Sequence, residues 1–216
     1  MSDLLQRRSF LGRFSAGALA VFAATRTVHA ERITRTPLVS PDDWLKGLSG
    51  KHRQVFDAVS PNGGFPMGFA KNFLDSTEQS MGLTDKDVNA VVVLRHFSIP
   101  YAFNQSIWDK YHLSTAPFNV TDPMGKALTQ NPLVKGSGMY AGWGIQDLQA
   151  RGVVFGVCNL ALGFLSGMRA AEAGVTPEAA RAEWVAAMVP GVNIIPSGVW
   201  GVNNAQEHGC TYCFAG

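Results

Sequence analysis

The chain has 216 residues, 18 of them basic and 16 acidic, for a formal charge of +2, and only 16% are charged. So even a balance provides no basic stripe to follow a nucleic-acid backbone. A charged share well below the usual ~25% implies that much surface is covered, within the fold or between subunits, so a homo-oligomer is expected.

Gln6-Arg7-Arg8-Ser9-Phe10-Leu11-Gly12 lies near the start, followed by an apolar, small-residue stretch from Phe14 to Ala24 and then Val28-His29-Ala30. A positive segment, a short apolar segment and a small-residue cleavage site, in that order, read as an export signal. The apolar part, roughly 11 residues, is far short of the ~20 that span a bilayer, so no permanent membrane span is expected. The paired arginines before Phe10-Leu11 resemble the twin-arginine motif S-R-R-x-F-L-K, with Gln6 and Gly12 at its first and last positions. An ordinary Sec signal with two chance arginines is the alternative. The resemblance implies the twin-arginine (Tat) export machinery as a partner, which carries folded proteins, and a periplasmic or otherwise exported product cleaved near Ala30. Removing residues 1–30 takes away Arg7, Arg8, Arg13, Arg26 and Asp3, so 18 basic and 16 acidic residues become 14 and 15. The remaining body is near neutral and carries no polybasic or lipidation signal for a membrane surface.

Residues 31–50 form an extension without sustained periodicity, although Ser40 before Pro41-Asp42-Asp43 predicts a short helix to about Leu48. His52 to Ser60 reads as a strand, ended by Pro61-Asn62-Gly63-Gly64. A helix follows from about Pro66 to Met81, with Met67, Ala70, Phe73, Leu74 and Thr77 on one face. Ala90-Val91-Val92-Val93-Leu94-Arg95-His96 is a β-branched run suited to a strand buried on both faces of a parallel sheet. A helix is expected over Ile99–Tyr111, then an irregular, proline- and glycine-marked insertion over 112–138, of a length typical of lids, binding loops and subunit contacts. Another helix is expected over Tyr140–Ala150 and a buried strand over Val153–Cys158. The apolar segment Leu160–Ala171, a helix from Thr176 to about Met188, a strand at Val192–Ile195, a helix at Val199–His208 and a strand at Thr211–Phe214 complete the chain. Strands and helices alternate about five times without a repeat, which predicts an open, mostly parallel α/β sheet with helices on both faces, over residues 51–216.

Three pieces carry a family resemblance: Val91-Val92-Val93-Leu94-Arg95-His96; Arg151-Gly152-Val153-Val154-Phe155-Gly156-Val157-Cys158-Asn159; and Pro190-Gly191-Val192-Asn193-Ile194-Ile195-Pro196-Ser197-Gly198-Val199-Trp200 with Ala205-Gln206-Glu207-His208-Gly209-Cys210-Thr211-Tyr212. Together they resemble the DsrE/DsrF-like (YchN/TusD-like) family. The resemblance implies a small flavodoxin-like α/β sandwich, trimers or hexamers, and small sulfur species as partners. In the family's sulfur-relay members a strand-end cysteine carries sulfur as a persulfide, and Cys158 matches that position.

The residues themselves point the same way and leave alternatives open. Cys158 falls where a strand meets a helix, and ligands of open α/β sheets bind at the carboxyl ends of strands. A helix N-terminus also favours the reactive thiolate, while the other reading of Cys158 is a buried core cysteine. His96 ends another strand and should lie at the same edge, able to take a proton from the thiol or to bind a metal, the other reading being a histidine hydrogen-bonded in a loop. Cys210-Thr211-Tyr212-Cys213, with His208 upstream, suits a structural pair or solitary thiols, a disulfide, or a metal site. On a strand, however, i and i+3 face opposite ways. Three cysteines are too few for a disulfide scaffold, and their odd number leaves one without an internal partner. No particular cofactor is indicated. A non-catalytic oligomeric binding or assembly module, its Cys and His residues structural or holding a metal or haem, remains the second functional reading.

Overall fold

The structure, a computed structural model, describes Ser40 and residues 43–216; the expected export signal, residues 1–30, lies outside the described residues. Val88–Leu94 (β2) is buried at every position and forms the middle of a five-stranded sheet ordered β4-β3-β2-β1-β5. Its neighbours are β1 (His52–Ala58) and β3 (Val154–Cys158), with β4 (Asn193–Ile195) and β5 (Thr211–Phe214) at the edges. All four pairings are parallel, in the registers Val55↔Val91, Leu94↔Val157, Cys158↔Ile195 and Val55↔Tyr212. This is the open parallel α/β sheet that the alternation predicts, in the flavodoxin-like form that the resemblance implies.

The helices are α1 (Phe65–Met81), α2 (Gln105–Tyr111), α3 (Ile145–Ala150), α4 (Asn159–Ala170), α5 (Pro177–Ala186) and α6 (Gly198–Glu207). Right-handed crossovers decide where they lie. The steps β1→β2→β3→β4 all advance in one direction, so α1 to α5 share one face, whereas β4→β5 runs back across the sheet and puts α6 on the other. The core divides accordingly. On the five-helix face Phe56, Val92, Leu94, Phe155 and Val157 meet Met67, Leu74, Leu148, Leu162, Leu165 and Trp184. On the one-helix face Val55, Val91, Val93 and Ile195 meet Ala205 and Cys210 of the α6 region together with Trp44 and Leu45.

Trp44 and Leu45 thus belong to the core, although they fall in the 31–50 extension. Residues 43–47 form turns and bends in place of the expected helix. The segment is too short to propagate helical hydrogen bonds, and burying two large side chains side by side governs its path instead. The Trp44 indole donates to the Asn204 side chain at 2.7 Å, which satisfies its one polar atom. Its ring lies over β3 at Gly156, where a Cβ would come within 2.8 Å of it.

Two further helices are shorter than their periodicity suggests. Over Ile99–Tyr111 the chain first makes a 3-10 turn, His96–Ala102, because Pro100 offers no N–H, and Asn104 is extended before α2 begins. Over Tyr140–Ala150 the left-handed φ of Gly142 and the extended Gly144 delay the helix until Ile145. The 112–138 insertion is irregular, as expected, and packs firmly, with Leu113, Phe118, Val120 and Leu133 buried. Arg169 of α4 holds it: the buried guanidinium donates to Thr115 Oγ1 at 3.0 Å and to the Ala116 carbonyl, and lies 5.6 Å from the centre of the Phe118 ring.

Candidate functional site

The chain leaves β3 toward the five-helix face and leaves β4 toward the other, so the carboxyl ends of these neighbours form the sheet's switch point. Cys158 ends β3 there and pairs in register with Ile195 of β4. Two helices start at this edge. Cys158 is the N-cap of α4, and its sulfur accepts the Ala161 N–H at 3.4 Å. Ser197 is the N-cap of α6, its hydroxyl accepting the Trp200 N–H at 3.2 Å.

Arg95, the first residue after β2, stands on the next strand over. Its guanidinium forms a two-point pair with Asp57 near the end of β1, Nε to Oδ1 at 2.6 Å and Nη2 to Oδ2 at 2.9 Å. The Tyr212 hydroxyl of β5 donates to the same carboxylate at 3.0 Å. Asp57 is buried, and a buried carboxylate needs such donors. Its hydrogen bonds push the Arg95 pKa up from its ordinary value, and Cys158 is near enough to add to that rise. Tyr212 is pushed up as well, first by desolvation and then by donating to Asp57. The stem of Arg95 lies against Gly198, where a Cβ would come within 2.5 Å of the arginine Cβ and Cδ. Side chains from β1, β2, β3 and β5 and the start of α6 therefore line one edge of the sheet, and Tyr212, Asp57 and Arg95 form a connected polar row along it.

Cys158 is buried, with 7% of its surface exposed. The apolar side chains Leu160 and Phe164, on the outer side of α4, are exposed, as is Val199 in the first turn of α6. His96 follows Arg95 at the same edge, as expected. It is exposed in a left-handed conformation, φ +49°, and among the described residues no hydrogen bond or ion pair engages its ring.

The C-x-x-C divides between the faces. Cys210 packs with Trp44 on the one-helix face, while Cys213 packs against the core of the five-helix face. Both are free thiols. The imidazole Nδ1 of His208 lies 2.8 Å from the Asn204 carbonyl. The candidate metal set His208, Cys210 and Cys213 is therefore not assembled, and no group of three potential metal ligands occurs among the described residues. Cys210 lies just before β5, packed beside Trp44, while Cys213 within β5 points to the other face of the sheet.

Asp57, Arg95, Tyr212 and Gly198 are site residues that sequence reasoning passed over. The signal for Asp57 was present: a lone carboxylate inside Val55-Phe56-Asp57-Ala58 cannot enter a buried strand without a partner. Comparison with known protein families, with curated proteins and with solved structures gives no match.

Proposed function

We propose that the chain is an exported, homo-oligomeric DsrE-like protein that takes up sulfur as a persulfide on Cys158 and passes it on. The observation that carries this reading is Cys158 itself, a guarded thiol at the switch point with a helix N–H on its sulfur and Arg95 close by. The thiolate is the form of a cysteine that attacks sulfur.

The step this environment suits is a displacement. The Cys158 thiolate attacks the outer sulfur of a small persulfide R–S–SH. A bond forms from Cys158 to that sulfur, the donor S–S bond breaks, and R–S⁻ leaves with the electron pair. An acceptor thiolate removes the sulfur by the same displacement in reverse, so there is no net oxidation and no cofactor is required. His96 is the candidate proton acceptor at this edge, and the Asp57 pair holds Arg95 in place. The paired Arg7-Arg8 and the small-residue stretch behind them support export in a folded state, and the low share of charged residues supports an oligomer. No helix among the described residues is long and apolar enough to cross a membrane.

Intact-mass spectrometry after treatment with a small persulfide tests the reading. The parent protein should gain one sulfur atom, lost again to a thiol acceptor, and Cys158→Ala should gain none at that site. Equal loading of Cys158→Ala would sink the idea. A non-catalytic assembly module is the second reading, favoured by the separation of Cys210 from Cys213, which suits structural roles for both. Stoichiometric metal, or a haem absorbance band in protein from its native compartment, would select it.

A further inference from the structure

Both edge strands are short, β4 three residues and β5 four, and they differ in what they expose. β4 is partly buried. β5 pairs with β1 on one side, and among the described residues no strand lies on its other side. Open edges are normally blunted by proline, lysine or inward-pointing charge. Thr211-Tyr212-Cys213-Phe214 contains none of these, and Tyr212 and Phe214 are exposed by 47% and 62%.

Beside this edge, on the five-helix face, runs a groove of about 420 Å³ lined by Phe56, Phe69, Phe73 and Cys213, with Asn72 and Ser76 at its polar margin. No charged side chain lines it.

We propose that the open edge of β5 is a self-association surface, on which β5 of a second copy adds antiparallel to make one continuous ten-stranded sheet. Three features select a second copy as the occupant. A strand laid antiparallel on itself around a two-fold axis is self-complementary and closes after two subunits. The strand and its groove are uncharged, so the copies meet without like-charge repulsion, while the main-chain groups left open by β5 find partners. With the axis at Cys213, the side chains also match: Tyr212 of each copy lies across from Phe214 of the other, the kind of aromatic cross-strand pair that stabilises sheets. The two Cys213 side chains then face each other on the groove side. The same seam covers Tyr212, and so shields the Tyr212–Asp57–Arg95 row from water.

Sedimentation velocity on the full chain tests this, with Phe214→Lys as the blocking variant. Phe214 is on the surface, so a lysine there leaves the core intact, which far-ultraviolet circular dichroism checks. The parent should form a dimer, and Phe214→Lys should raise its dissociation constant about tenfold or more. A short bis-maleimide should join Cys213 to Cys213 between copies of the unmutated protein, as mapped by peptide mass spectrometry, a readout that needs no substitution. A parent that stays monomeric overturns the proposal. So does an oligomer that survives Phe214→Lys, fails to cross-link through Cys213, or dissociates instead on Phe164→Glu in the exposed stripe of α4.

Discussion

Burial acts on individual thiols to different ends. Cys210, packed beside Trp44, loses so much hydration that its pKa is pushed up to about 11 from 9.0. In the unfolded chain the same thiol ionises near 9.0, so between these values the folded state holds a proton that the unfolded state has released. Stability is therefore fullest below about pH 9 and falls as pH rises toward 11, by at most about 1.4 kcal/mol per pH unit from this group. Cys210→Ala should flatten that fall in guanidinium melts at about pH 8 and about pH 9.5, below the midpoint near 10 at which tyrosines of the unfolded chain ionise. An unchanged slope would show that Cys210 does not couple to folding. Cys213, also pushed up by desolvation but only partly buried, should be alkylated sooner than Cys210 near neutral pH.

At the scale of elements, the strand ends and helix starts of the candidate site were legible to unequal degrees. β2 and β3 announce themselves because a strand buried on both faces must be apolar at successive positions; Cys158 followed directly as the end of β3, while β2 stops at Leu94, two residues short of His96. The row Tyr212–Asp57–Arg95 was not readable in the same way, since it depends on the register of strands 38 and 155 residues apart. Pro196-Ser197-Gly198 stood out as part of the family resemblance, yet its glycine matters for room beside Arg95 and not for backbone freedom. Gly198→Ala should lower stability by about 1–3 kcal/mol through overpacking at the start of α6. It should also change the alkylation rate of Cys158, since Arg95 must move. A variant with parental stability and thiol kinetics would show that Arg95 has space to yield.

At the scale of the whole sheet, the described residues are lopsided, with five helices on one face and, on the other, a single helix completed by residues 43–48. Alternation of strands and helices predicted the layers, and right-handed crossovers explain their inequality. The part played by Trp44 escaped pattern reading because a single anchor in an aperiodic segment has no period to detect. Trp44→Ala should cost about 3–5 kcal/mol, since it removes a large buried ring and leaves an opening above Gly156. Chemical denaturation would show it as a lowered midpoint, and a loss below about 1 kcal/mol would mean that the segment is dispensable.

The strand order also sets a schedule for synthesis. Gln54 of β1 sits beside Thr211 of β5, a partner 157 residues further along the chain. At ribosomal rates of ~5–20 residues per second, β1 waits roughly 8–30 s for the neighbour that flanks it. During that interval the inner half of β1, Val55-Phe56-Asp57-Ala58, has one bare side, and chaperone capture competes with native closure. An N-terminal export signal would emerge long before the sheet behind it is complete, so a transporter that admits only finished proteins would have to be kept waiting by the slow arrival of β5.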